Sequence, residues 1–169
     1  RRRQHLTRAE SATQFFDVID TIDVLTRVTS MPTPKPFTPS EIQRRLRRLH
    51  AAQRRQRLDA LLITTPINRF YFTGLIASNG VLLSERGAPP AFYTDFRYLT
   101  MARRVASWLP THELWRPALE PEVVAGMGHA WRRVGYEGAM PASRFLKLQA
   151  ALPDVEWVDA TALIQSLRA

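Results

Sequence analysis

The sequence predicts an α/β fold in which a mixed β-sheet is flanked by helices. Two observations carry this reading. From Thr38 onward, short apolar runs of strand type alternate with longer segments of helical periodicity, the pattern of parallel strands joined by helices. One pair of strand-type runs, Val81–Glu85 and Ala91–Asp95, is joined instead by Arg86-Gly87-Ala88-Pro89-Pro90. That hairpin-length loop with Gly and Pro requires an antiparallel pair within the same sheet.

The elements follow in order. Thr38-Pro39-Ser40-Glu41 is a helix start: Thr38 can cap, Pro39 fits the first helical position, and Glu41 can reach back to the cap amide. Ile42, Leu46 and Leu49 then recur at helical spacing, leaving arginines on the other face to about Arg57. Asp59 to Thr64 is short, apolar and stopped by Thr65-Pro66, as a buried strand would be. Asn68 to Phe72 reads as a helical turn. After the hairpin strands, Phe96 to Ser107 reads as a helix with Tyr98, Ala102 and Val105 on one side. Thr111 to Arg116 is a short strand, and Glu120 to Val134 a helix opened by Pro121. The alternation continues with strands at Val134–Glu137 and Val155–Val158 and helices at Pro141–Leu152 and Thr161–Arg168.

Composition narrows the class. A chain of 169 residues with 45% hydrophobic content is expected to form one domain with a tail. It has no cysteine, which excludes disulfides and thiolate metal sites and fits a cytoplasmic setting. No apolar run approaches the roughly 18 residues of a membrane span. Residues 1–37 are expected to be an N-terminal extension, either a flexible tail or sequence upstream of a natural start at Met31. The break Met31-Pro32-Thr33-Pro34-Lys35-Pro36 cannot continue a helix. Arg1-Arg2-Arg3 does not open an export signal, because Glu10, Asp17, Asp20 and Asp23 interrupt the segment where its apolar region would have to lie. The net charge of +9 is concentrated in Arg44, Arg45, Arg47, Arg48, Arg54, Arg55 and Arg57, one basic helix face. No aromatic residues interleave with these arginines and no groove-reading motif accompanies them, so nucleic acid is not an expected partner; nor is a membrane, given the short apolar runs.

Five sequence pieces in order resemble one family. The amphipathic helix, Asp59–Thr64, Tyr71-Phe72-Thr73-Gly74, Ser78-Asn79-Gly80-Val81-Leu82-Leu83 and Tyr93-Thr94-Asp95-Phe96-Arg97-Tyr98 are similar to the N-terminal domain of the creatinase, prolidase and Xaa-Pro aminopeptidase family. Val134-Gly135-Tyr136-Glu137 is similar to that family's Gly-x-Glu strand, and Trp157-Val158-Asp159-Ala160 precedes a similar last helix. The resemblance implies a ribonuclease H-like fold without nuclease activity over residues 38–169. It also implies that catalysis belongs to a separate "pita-bread" domain, absent here, which holds two divalent metals (manganese, zinc or cobalt) on two Asp, one His and two Glu. This chain would then contribute substrate gating and oligomerisation to a metal-dependent Xaa-Pro peptidase. Its partners would be the catalytic domain of the same polypeptide and neighbouring subunits of a homo-oligomer.

The site residues implied by that resemblance are a gating or inter-subunit loop, Gly74, Leu75, Ile76, Ala77, Ser78 and Asn79, with Tyr71 and Phe72 beside it. A second candidate is the pair Asp95 and Arg97 at a strand end. They either shape the inter-subunit cleft or act locally, Asp95 as a helix cap and Arg97 as its ion-pair partner. Phe96 stands where the family often has Gly, so the turn needs no positive φ. Phe70 and Phe72 suit a core as well as an interface. No catalytic residue and no metal ligand set is expected in this chain. His5, His50, His112 and His129 form no HxxxH pair, His112-Glu113 lies on a strand with side chains on opposite faces, and no GxSxG occurs. Gly126-Met127-Gly128 lacks a phosphate-loop continuation. The alternative is a stand-alone domain of the same fold that binds a protein or nucleic acid through this loop or the arginine helix.

Overall fold

The structure, a computed structural model, describes residues 37–114 and 130–169. The first helix, α1 (Pro39–Arg55), starts as the sequence dictates: Pro39 opens it, and the Thr38 hydroxyl accepts from the Glu41 amide at 3.2 Å. The second half of the expected box does not form. The Glu41 carboxylate pairs instead with Arg45 one turn on. Ile42, Leu46, Leu49 and Ala52 are buried. Buried Gln53 ties α1 to the sheet, its Nε2 donating to Ser84 O at 3.1 Å and its Oε1 accepting from the Ser84 hydroxyl at 2.8 Å.

The chain then alternates as predicted, through β1 (Ala60–Ile63), α2 (Pro66–Thr73), β2 (Val81–Glu85), β3 (Ala91–Thr94), α3 (Phe96–Val105) and β4 (Thr111–Glu113). After residues 115–129 come β5 (Arg133–Tyr136), α4 (Ala142–Ala151), β6 (Glu156–Asp159) and α5 (Thr161–Arg168). The strands form one sheet in the order β4-β3-β2-β1-β5-β6. The β1–β2 and β2–β3 pairs are antiparallel; β1–β5, β3–β4 and β5–β6 are parallel. Strand alternation splits the core into two layers. Leu61, Ile63, Leu82 and Phe92 pack with residues of α1, α3 and α5, while Ala60, Leu62, Val81, Leu83 and Val134 pack with Trp131, Met140 and Leu148 of α4. Among the described residues, no helix is long and apolar enough to cross a membrane.

Four sequence expectations are corrected here. The turn at Asn68–Phe72 is a two-turn helix, because Pro66 opens it and Gly74 closes it at φ 73°. Arg133 and Val134 belong to β5, so the predicted Glu120–Val134 helix cannot reach that far; its residues 120–129, with Gly126-Met127-Gly128, lie outside the described residues, as do Trp115 and Arg116 of the predicted strand. Val105 is exposed; the buried line of α3 runs through Leu99 and Ala102. Arg45 is not on the solvated face of α1. Its guanidinium lies buried between two rings, 3.8 Å from the Phe37 centroid and 4.1 Å from that of Tyr71. Stacking of this kind suits Arg, whose flat cation is weakly hydrated.

Candidate functional site

Register brings the candidate residues together. Ile63 at the end of β1 pairs with Leu82, and Val81 at the start of β2 pairs with Tyr93 near the end of β3. Because β5 runs parallel to β1, Glu137 also leaves the sheet at this edge. Side chains beyond the carboxyl ends of strands in an α/β sheet are where ligands and partners are usually met.

Glu137 organises the edge, although its residue type alone did not mark it in the sequence. It is 1% exposed. Its carboxylate accepts from the amides of Thr64 and Thr65 (2.5 and 2.6 Å), from both hydroxyls (3.1 and 2.7 Å) and from Asn68 Nδ2. It thereby satisfies donors at the start of α2 that Thr65 itself does not cap. Next to Asn68 lies Arg69, 2% exposed. Burial lowers its pKa, and the Glu137 charge works against that shift. Its Nη2 donates to the carbonyls of Ala77 and Ser78 at 3.0 and 3.4 Å. A buried guanidinium thus holds the loop by its backbone. Gly80 makes room for it: with φ 143°, a Cβ there would lie 2.8 Å from Arg69 Nη1 and 2.7 Å from Phe92 Cζ.

The loop residues fall into two sets. Phe72, Leu75 and Ala77 are buried in the core. Ile76 between them is 74% exposed. The Ser78 hydroxyl meets Tyr98 Oη at 2.6 Å, and Asn79 Nδ2 donates to Asp95 Oδ2 at 3.1 Å. Tyr71 faces away from the loop: its hydroxyl donates to Leu167 O at 2.7 Å in α5, and its carbonyl accepts from Arg45 at 2.8 Å. The family resemblance set Tyr71 beside the loop; its side chain turns instead toward α5.

Asp95 caps α3, accepting from the Arg97 amide at 3.1 Å, and grips the Arg97 guanidinium through both oxygens at 2.8 Å. These bonds from Arg97, with Asn79 adding another, hold its pKa down to about 2. The same pair raises Arg97. Phe96 between them is 71% exposed, and among the described residues only Arg57 combines a positive φ with a side chain. Ile67, on the first turn of α2, is 62% exposed. The edge therefore shows apolar side chains outward beside the Asp95–Arg97 pair at the surface, while Glu137 and Arg69 lie buried beneath. Among the described residues no group of three or more His, Cys, Asp or Glu could hold a metal, so the five-ligand set named above does not fit them. His112 and Glu113 are both exposed, with His112 stacked on Tyr93 at 4.8 Å.

A mixed six-stranded sheet with helices on both faces matches the fold of the N-terminal domain of aminopeptidase P. The sequence model of the creatinase/prolidase N-terminal domain matches residues 45–169, and the chain belongs to that family. The N-terminal domain of the cytoplasmic peptidase PepQ from Mycobacterium tuberculosis H37Rv is 30% identical, with 73% of this chain and 98% of that one covered at a TM-score of 0.67. The aminopeptidase P (Xaa-Pro aminopeptidase) structure from Streptococcus thermophilus is 25% identical, covering 76% and 98% at a TM-score of 0.68. The Xaa-Pro dipeptidase from Bacillus anthracis shares the fold at 24% identity and a TM-score of 0.65, with 75% of this chain aligned but only 36% of that chain. No curated protein matches the sequence.

Proposed function

We propose that residues 38–169 act as the non-catalytic N-terminal domain of a metal-dependent Xaa-Pro peptidase, with residues 1–37 as an extension to it. The domain supports oligomerisation and gates substrate through the Gly74–Asn79 loop. The observation that carries this reading is the exposure of Ile76 and Phe96 on a framework tied together by the bonds of Arg69 to the loop carbonyls and of Asp95 to Asn79 and Arg97. An edge of that kind is suited to docking, since apolar groups gain from leaving water and the fixed backbone loses little entropy. Asp95 and Arg97 hold Phe96 and Asn79 in place beside the cleft, while Phe72, Leu75 and Ala77 anchor the loop from beneath. Catalysis belongs in this reading to a domain beyond these residues. Its two divalent metals would activate water and polarise the peptide carbonyl, and this chain supplies no ligand to them. A cytoplasmic location follows the PepQ relative.

The test begins with the coding sequence past Ala169. A frame that continues through a domain carrying two Asp, one His and two Glu is expected; a stop codon there sinks the reading. In the longer enzyme, Ile76→Glu should shift the ratio of kcat/KM for long against short Xaa-Pro peptides by about tenfold, about 1.4 kcal/mol. The chain of residues 1–169 alone should not hydrolyse Xaa-Pro peptides with or without manganese.

A further inference from the structure

Away from this edge, α1 and the β2–β3 hairpin enclose a groove. Two adjoining cavities of about 290 and 210 Å³ share His50 and Pro89. Leu46, Pro90 and Trp108 give one cavity an apolar wall. Arg47 borders that cavity and Arg54 the other. They are seven residues apart on one helix, hence on one side and about 10 Å apart along its axis. Both are exposed, and neither makes an ion pair among the described residues. Between them His50 presents an Nε2 that is shut off from solvent and has no partner among the described residues. Burial, and secondarily Arg54, lowers the His50 pKa, so the ring is neutral near pH 7 and able to donate or accept one bond.

We propose that this groove binds a short acidic peptide of a partner protein, with a bulky apolar residue against Trp108 and Pro90 and neighbouring carboxylates on Arg47 and Arg54. The complementarity is of charge and shape together. Arginine forks suit carboxylates, and a Trp-lined hollow suits an aliphatic or aromatic anchor. A nucleic-acid strand suits the groove less well. Glu85 lines the same cavity, and Arg86 is already paired with Asp59. The hairpin end therefore offers a phosphate backbone no continuous cationic track, and Trp108 is a single stacking ring. Arg44, Arg48 and Arg55 form a second exposed stripe on α1 that does not line the groove, which provides an internal control. The inference stands independently of any role in a peptidase.

The chain is panned against a phage library of random dodecapeptides at physiological salt, and the leading sequence is synthesised and titrated by fluorescence anisotropy. Enriched peptides should place Asp or Glu beside Leu, Phe or Trp. The double variant R47E/R54E should weaken binding by about tenfold or more, and R44E/R48E should stay within about twofold. If R47E/R54E melts early, R47Q/R54Q and Trp108→Ala serve in its place, each checked by circular dichroism. The proposal is overturned by failure to enrich, by a consensus without acids, or by equal losses in the two stripes. Tighter retention of oligo(dT) than of any peptide, lost in R47E/R54E, overturns it in favour of nucleic acid.

Discussion

Replacing Glu137 tests how the candidate edge is built. In Glu137→Ala, two backbone amides, two hydroxyls and the Asn68 amide lose their shared acceptor in a site that is 1% exposed. A buried donor left without a partner costs about 1–3 kcal/mol. The hydroxyls can rotate toward other acceptors, so the three amide donors set the scale, and the loss should be about 3–6 kcal/mol. Glu137→Gln keeps one acceptor oxygen but turns an NH₂ group toward donors, and should cost about 2–4 kcal/mol. Domains of this kind have only about 5–15 kcal/mol in total, so the alanine variant sits near the limit of folding. Urea unfolding of the chain followed by Trp fluorescence reads these losses as a fall in midpoint at unchanged slope. Hydrogen exchange should show the Thr64–Asn68 amides opening before those of β1. A Gln variant within about 0.5 kcal/mol of the parent would refute the claim that this carboxylate holds the start of α2.

Other consequences are open to measurement. Asp95 has a folded pKa of about 2, below the unfolded value of about 3.9. Its contribution to stability is therefore whole above about pH 4 and is lost as pH falls toward 2; a carboxyl NMR titration with its midpoint near 4 would contradict this. Gly80→Ala should destabilise by about 2–4 kcal/mol, since its methyl would meet fully buried Phe92 at a φ of 143°; a neutral melting point would refute it. Tyr71→Phe should cost about 0.5–1.5 kcal/mol through the lost bond to Leu167 O, checked by urea unfolding, and should free the last turn of α5 in hydrogen exchange. Ile76→Glu and Phe96→Glu should leave stability within about 0.5 kcal/mol, because both side chains are exposed.

The fold was legible because its signals are local. Thr38-Pro39, Thr65-Pro66 and Gly74 punctuate the chain at helix ends, and apolar runs such as Ala60–Ile63 leave no alternative to a buried strand. Arg45 was misplaced for a physical reason. Helical periodicity put it beside the other arginines, but Phe37, just before the helix, and Tyr71, 26 residues on, supply the two rings that make burial of a cation favourable. The candidate edge was legible only in part. Gly74–Asn79 came from the family resemblance and Asp95–Arg97 from their place at a strand end, and the structure sets both at this edge. Arg69 was not found, and Glu137 was noted only within the Gly-x-Glu strand, since their roles depend on partners 8 to 73 residues away.

The charges at this edge argue for its kind of work. Three acids stand where the chain leaves the strands: Glu137 after β5, Asp95 after β3 and Asp159 closing β6. Each is consumed by backbone amides, Glu137 at Thr64 and Thr65, Asp95 at Arg97, and Asp159 at Thr161 with a bond of 2.8 Å. The pKa of Asp95 is lowered chiefly by its bonds from the Arg97 side chain and that of Asp159 chiefly by the Thr161 hydroxyl, with backbone amides adding to both. A general acid or base needs the opposite tuning, toward neutrality, and a lone pair free for substrate. Glu137 fixes the start of α2 that presents Ile67, and Asp95, through Arg97 and Asn79, fixes the backbone beside Phe96 and the Ile76 loop. Rigid backbone beneath exposed apolar side chains lowers the entropy lost on association, which is what the docking role proposed above asks of this edge. Removing the cap should therefore weaken docking without touching the apolar groups. Asp95→Ala is expected to loosen the Asn79–Arg97 amides in hydrogen exchange while Ile76 and Phe96 stay exposed, and unchanged protection there would separate the edge's rigidity from its acids.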